Sequence, residues 1–316
     1  MIILKRVDIK TGYLCNNNCL FCVQAHNKKY ANKNHKEIVV SLRNAKHNGC
    51  KGVVFTGGEF TLRSDAIELV KIAKNMGFKI IQIQSNGRMF ANKEFCRKII
   101  SAGANEFCPA LHGHTSSIHD YLTKTPGAYS QTVQGIKNLR FMGQYIIVNS
   151  LVVKPNYRYS PNISKLFCEL GVNQFQYAFV HALGSAQDNF EEMVPYKSLA
   201  VPYLKKGIDI AVSHNVGVMV ESVPFCLMKG YESFVSELYI PETRIEEKDR
   251  VVDDFKKAKE ETKSKIKSSN CKKCRFYNVC EGPWKEYPDN FDWDEFVPIL
   301  GKEVNDQNDI INMKFD

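Results

Sequence analysis

The sequence predicts an α/β fold, a parallel sheet forming a partial (β/α)6 TIM-like barrel, and three observations carry that expectation. From the N-terminus to about residue 185, short apolar runs alternate with stretches of helical periodicity, the pattern of βα units around a parallel sheet. Glycines follow the helical stretches where a left-handed C-terminal cap belongs. The units number six, too few to close an eight-stranded barrel, so the sheet is expected to stay open.

The first unit opens with the run Val7–Tyr13 and passes through a polar loop to a helical pattern that begins at Glu37. The second strand is read at Gly52–Thr56, after which Ala66, Ile67, Leu69, Val70, Ala73 and Met76 recur at helical spacing up to Gly77. Strands follow at Ile80–Gln84, Glu106–Leu111, Tyr145–Val153 and Gln174–Val180, with Gly103, Gly143 and Gly171 ending the helical stretches before the last three. After Gly184 the rhythm changes. Tyr196 to His214 reads as a helix in which Pro202 marks a kink or the true start. Val216–Val223 reads as a further strand ending at Pro224. The charged stretch Glu246–Lys267 has enough apolar spacing, at Val251, Val252, Phe255 and Ala258, to be a surface helix.

At 316 residues the chain suffices for one large domain with an appendage, or for two. No segment approaches the roughly 20 apolar residues that span a bilayer, and the N-terminal run Ile2 to Leu4 is cut short by Lys5 and Arg6. No membrane partner is expected. Of eleven cysteines, seven fall into two ligand-like groups, and with no export signal this fits a reducing, cytoplasmic setting better than a disulfide scaffold. The net charge of +9 is uneven: residues 1–60 hold ten Lys or Arg against three acids, and Lys263 to Arg275 holds six with none. Those stretches carry the cysteine groups. Such charge near a redox centre would steer an acidic electron donor; the plainer reading is solvated lysines. Nothing resembles an aromatic RNA-binding motif, so nucleic acid is not the expected partner.

Cys15, Cys19 and Cys22 form CxxxCxxC just after the first strand. Thiolates favour iron–sulfur, zinc and copper(I), so ligand type alone leaves the metal open, with zinc or inert thiols as the rivals. A fully protein-ligated 4Fe–4S cluster uses four cysteines. The next one, Cys50, follows a helix-ending Gly49 and precedes a buried strand, a poor place for a ligand. This spacing resembles the radical S-adenosylmethionine (SAM) superfamily. The resemblance implies a 4Fe–4S cluster on the three thiolates, with an open iron that chelates the amino and carboxylate groups of SAM, and it places Phe21 near the adenine.

Ligands of parallel α/β folds collect at the carboxyl ends of the strands. The second strand ends in Gly57, Gly58 and Glu59, which look like the GGE motif whose backbone receives the SAM ammonium, with Glu59 as a nearby supporting position; glycines there admit close backbone approach. The third ends in Ser85, Asn86 and Gly87, and the resemblance places ribose contacts there and on strands four and five, at Asn86, Asn149 and Ser150. An Asn-Gly turn is the other reading of Asn86. His112, His114 and His119 follow strand four: His112 is expected to face the cavity and His119 to pack on the next helix. His181, after strand six, lies where the adenine end would be covered, or is an ordinary loop histidine.

Near the C-terminus Cys271, Cys274 and Cys280 stand in CxxCxxxxxC, with Cys226 upstream. Four thiolates close a site with no open iron. The group resembles the SPASM and twitch extensions of radical SAM enzymes and implies a second, auxiliary 4Fe–4S cluster; structural zinc is the rival. Where the full SPASM pattern has another cysteine this chain has Trp284, so one auxiliary cluster is expected. Trp284, Tyr287 and Trp293 read as aromatics covering the site. Cys50, Cys96, Cys108 and Cys168 read as small hydrophobes.

The domains implied are a radical SAM core, residues 1–185, and a SPASM/twitch-like extension, residues 186–316. The activity implied is reductive cleavage of SAM to a 5′-deoxyadenosyl radical that takes a hydrogen atom from a substrate, with an acidic donor such as flavodoxin or ferredoxin; no residue of the chain is singled out as catalytic. The auxiliary cluster would be an electron sink or structural. Peptide or protein modification is the favoured substrate class. A twitch-type small-molecule dehydrogenase or epimerase is the alternative, because only fourteen residues precede Cys15, leaving no N-terminal leader-binding domain of the kind many peptide maturases carry. An iron–sulfur electron carrier or an RNA-binding protein is the reading from another class; a carrier needs neither GGE nor an open iron.

Overall fold

The computed structural model describes residues 4–248 and 250–311, so most of the Ile2 to Leu4 run, and residue 249 of the expected late helix, lie outside the described residues. Seven strands alternate with helices: β1 (Arg6–Lys10), α1 (His35–His47), β2 (Gly52–Thr56), α2 (Ala66–Asn75), β3 (Ile80–Ser85), α3 (Lys93–Ala102), β4 (Glu106–Pro109), α4 (Ser116–Thr123), α5 (Ala128–Phe141), β5 (Tyr145–Val152), α6 (Ser160–Glu169), β6 (Gln174–Phe179), the short α7 (Ser185–Asp188) and α8 (Phe190–Met193), α9 (Lys197–Ser213) and β7 (Gly217–Glu221). Two further strands, β8 (Thr243–Glu246) and β9 (Val251–Val252), precede α10 (Phe255–Glu261). The strand order is β7-β6-β5-β4-β3-β2-β1-β8-β9, parallel throughout except for the β8–β9 pair, and the two ends do not meet. This is the open parallel α/β sheet expected.

The differences lie at the ends. The first run stops as a strand at Lys10 because the chain turns at Gly12, where a Cβ would meet Asn32, and Asn32 Oδ1 takes the amides of Tyr13 and Leu14 (2.8 and 3.3 Å). The change of rhythm near residue 185 does not end the sheet: β7 extends one edge beyond β6, and β8 runs parallel to β1 at the other. The surface helix expected over Glu246–Lys267 shortens to α10. Glu246 belongs to β8, Val251 and Val252 pair with it, and the Asp254 side chain caps the helix by accepting from the amides of Lys256 and Lys257. Pro202 sits inside α9, which runs through it.

Side chains alternate across each strand. One set, including Val7, Ile9, Phe55, Ile83, Val148 and Phe175, is fully buried with the helices' apolar residues. The other set mixes apolar residues such as Val54 and Met219 with a chain of paired polar ones. On it Lys10 pairs with Asp8 (3.2 Å), Thr56 donates to Gln84 (3.2 Å), Gln82 donates to Glu106 and Gln176 to Glu221. Cys108 and Asn149 lie on the same inner face, opposite the helices.

Candidate active site

The loop carrying Cys15, Cys19 and Cys22 lies at the carboxyl ends of the strands, held by main-chain partners from several elements. The amides of Asn18 and Leu20 donate to the carbonyls of Thr123 and Leu122 at the end of α4 (both 3.0 Å), and the amide of Ser185, past β6, donates to Cys22 O (3.0 Å). Desolvation pushes the Cys15 thiol up, and desolvation followed by the neighbouring Cys22 and Cys15 pushes Cys19 up strongly. Thiols crowded this way need a cation to become thiolates.

Gly57 and Gly58 meet the loop at its base. A Cβ on Gly57, whose φ is +118°, would lie 2.3 Å from Gly12 O, and one on Gly58 would lie 2.2 Å from Leu14 O. The glycines thus make room for the protein's own backbone. The amides of Gly58 and Glu59 donate to Gly12 O and Leu14 O (both 2.7 Å), so what this turn can offer an ammonium is carbonyl oxygen. The Glu59 carboxylate is buried among four donors: Thr61 N and Oγ1 (3.1 and 2.6 Å), Ser85 Oγ (2.9 Å) and Asn86 N (2.6 Å). Burial raises its pKa. Glu59 ties the end of β2 to the end of β3.

Asn86 points at the cysteine loop. Its Nδ2 donates to Asn16 Oδ1 (2.6 Å) and, more weakly, to Cys15 Sγ (3.9 Å), while its Oδ1 takes the Arg88 amide (3.0 Å). Asn149 Oδ1 is buried with no hydrogen-bond partner among the described residues, an acceptor left for a bound group. Ser150 Oγ is likewise unpartnered, but strand alternation puts Ser150 on the side of Ile146, Val148 and Val152, facing the helix layer. Of that pair only Asn149 faces inward.

Phe21 packs edge-on against His112 at 4.8 Å between centroids, which places the expected adenine-side aromatic beside the expected cavity histidine. Leu151 N donates to His112 Nδ1 (3.0 Å), and His112 N donates to His119 Nδ1 (3.1 Å). An Nδ1 that accepts leaves the proton of a neutral ring on Nε2. Burial holds both histidines well below their ordinary pKa, His119 at about 4. His119 is fully buried in α4. His114 does not join them; its ring lies 5.1 Å from that of Tyr159. His181 stacks on Trp284 (4.1 Å, 9°) and its Nε2 meets Glu286 (3.1 Å).

Cys226, Cys271, Cys274 and Cys280 line one cavity, walled by Phe225, Phe276, Tyr277, Trp293 and Phe296. Trp284 stays outside that wall, donating from Nε1 to Ser222 Oγ (2.9 Å). Desolvation and then the other three thiols push Cys226 up to about 12. Cys50, Cys96 and Cys108 are buried and Cys168 half-buried.

Two features of the site escaped sequence reasoning. The polar inner face was visible as alternation in RVDIK, IIQIQS and QFQYAF. Arg88, whose Nη1 donates to Asn16 O (2.7 Å) and Asn17 Oδ1 (2.9 Å), carried no local signal.

A three-thiol loop stands at the mouth of an open parallel sheet with a GGE turn beneath it, and residues 9–159 match the family model described as the Radical SAM superfamily. Residues 9–159 thus form a radical SAM domain. In sequence the chain is similar to a probable GTP 3′,8-cyclase of Saccharolobus islandicus (27% identical over 194 residues, 60% of this chain and 61% of that one). It is also similar to an AdoMet-dependent heme synthase of Oleidesulfovibrio alaskensis (28% over 159 residues, 50% and 40%). The matches thus span about 60% or less of these relatives' length. In structure it is similar to Streptococcus suis SuiB bound to S-adenosylmethionine (TM-score 0.67, 16% identity, 94% of this chain and 76% of that one) and to anSMEcpe with bound AdoMet and Kp18Cys peptide (0.57, 14%, 68% and 63%). At such identities the likeness is one of fold. The residues present fit the cofactors the family implies: three thiols in one loop for a cluster, carbonyls at Gly57 and Gly58 for an ammonium, and the orphaned Asn149 oxygen for a hydroxyl.

Proposed function

We propose that this enzyme modifies a peptide or protein by hydrogen-atom abstraction, holding a 4Fe–4S cluster on Cys15, Cys19 and Cys22 and SAM between the GGE turn, Phe21 and Asn149. When bound and reduced, the cluster would supply one electron to the SAM sulfonium, which would break to methionine and a 5′-deoxyadenosyl radical. The chain's part is placement. Glu59 fixes the β2 and β3 ends, Asn86 supports the cysteine loop, and His112 presents a neutral Nε2–H donor beside Phe21.

The observation that carries the substrate class is the inner face. Its carboxylates are Asp8, Glu106 and Glu221, and Asp8 Oδ1 is buried without a hydrogen-bond partner among the described residues, whereas Lys10 is paired to Asp8 and Arg6 donates to Thr243. Such acceptors call for a substrate that donates N–H groups, as a peptide does, and oppose a triphosphate. The test is anaerobic incubation with SAM, reductant and either deuterated candidate peptides or GTP. Deuterium in 5′-deoxyadenosine from a peptide is the expected result; GTP turnover would overturn it. The single C-terminal thiol group, with Trp284 outside it, favours a second reading, a small-molecule dehydrogenase or epimerase of the twitch type.

The cavity shared by Cys226, Cys271, Cys274 and Cys280 supports one auxiliary 4Fe–4S cluster, since four thiols around one apolar-walled space supply the full ligand set such a cluster takes. The proposed SAM ligands all precede residue 185 and this group follows it, which supports a radical SAM core over 1–185 and an auxiliary part over 186–316, joined through β7 and β8. The basic stretches beside both groups suit an acidic donor of the flavodoxin or ferredoxin kind, and seven cysteines read as cluster ligands suit a reducing compartment such as the cytoplasm.

A further inference from the structure

We propose that Arg88 is a positioning residue that tunes the SAM-binding cluster through one peptide unit of the CNNNC loop; this rests on the reading that Cys15, Cys19 and Cys22 hold that cluster. The Asn16–Asn17 peptide connects the two. Its carbonyl, Asn16 O, accepts from Arg88 Nη1 at 2.7 Å, and its amide, Asn17 N, donates to Cys15 Sγ at 3.4 Å. The same Nη1 donates to Asn17 Oδ1 at 2.9 Å, so the guanidinium holds both the peptide and the side chain that follows it. A charged donor on the carbonyl polarises the amide on the far side of the unit and strengthens its bond to sulfur. Hydrogen bonds to cluster sulfurs raise reduction potentials.

The platform under Arg88 is rigid. Gly87 takes φ +82°, and Gly135 of α5 lies so close that a Cβ there would come within 2.5 Å of Gly87 O. Thr132 Oγ1 donates to Asn86 O (2.8 Å), and Arg88 Nε donates to Gln131 Oε1 (2.6 Å). Two residues of α5 therefore fix the corner from which the guanidinium reaches the loop. Arg88 acts on the cluster through the Asn16–Asn17 peptide.

The test compares the parent with Arg88→Met and Arg88→Lys after anaerobic iron–sulfur reconstitution, reading iron content, the midpoint potential of the SAM-binding cluster, and its EPR spectrum before and after SAM. Arg88→Met should hold iron, shift the potential negative and alter the spectrum of the reduced cluster. Arg88→Lys keeps a charged donor and should shift less in the same direction, and it carries the test if the Met variant does not load iron. A fully loaded variant with the parent's potential and spectrum overturns the proposal. A parent whose cluster spectrum does not respond to SAM overturns the underlying reading instead, whatever Arg88 does.

Discussion

His112 and His119 are each held in one protonation state by a main-chain amide, and this has a measurable consequence at the scale of single residues. With its pKa depressed to about 4 chiefly by burial, His119 stays neutral while the unfolded chain takes up a proton near 6.5. Stability is therefore complete above about 6.5 and falls as pH drops toward 4, by on the order of 3 kcal/mol for one such group. In urea unfolding between pH 7.5 and 4.5, His119→Gln should show a shallower acid-side loss than the parent; parallel curves would contradict this. Cys15, Cys19 and Cys22 could be read as one group because they lie close together in sequence, whereas Arg88 reaches Asn17, 71 positions earlier, and no spacing rule connects them. Ser150 shows the converse error. Adjacent strand residues face opposite sides, so Asn149 and Ser150 never serve one ligand together.

Among the elements, α5 bears most directly on the site, because its glycine-lined contact with the end of β3 sets where Asn86 and Arg88 stand. Gly135→Ala should push that helix off Gly87 and cost about 1–3 kcal/mol by overpacking. The loss should appear as a lower denaturant midpoint together with reduced iron loading; unchanged loading would separate α5 from the cysteine loop. The six expected strands were readable because their buried faces gather β-branched and aromatic residues between stretches of helical period. Their carboxyl ends were not, since Tyr13, Leu111, Val153 and Val180 are buried apolar residues that belong to the loops rather than to the ladder. β8 and β9 were hidden for the opposite reason. TRIE is short and largely polar and VV is only two residues long, so pairing makes them strands.

Over the whole molecule, the sheet joins the two cysteine groups into one body, and Trp284 fastens the C-terminal part to the ends of β6 and β7. Its ring stacks on His181, its Nε1 donates to Ser222, and Lys265, paired to Glu237 and Glu281 (2.6 and 2.9 Å), lies 5.0 Å from its centroid. Where a full SPASM pattern has a ligand, this chain has a fastening. Trp284→Ala should cost about 2 kcal/mol for a half-buried indole and open the segment after residue 250 to proteolysis before the barrel; a cooperative loss of both parts at once would show that the extension does not loosen separately. The order of the sheet could not be read from runs alone, because both added edge strands lie beyond the βα repeat.

The most direct test of the account is SAM cleavage by the anaerobically reconstituted protein, with iron counted in the same sample. Dithionite and SAM should yield 5′-deoxyadenosine at about eight irons per chain, and Cys19→Ala should abolish the product while leaving about four. A well-formed N-terminal cluster that produces no 5′-deoxyadenosine, or a Cys19→Ala variant that cleaves SAM as the parent does, would contradict it.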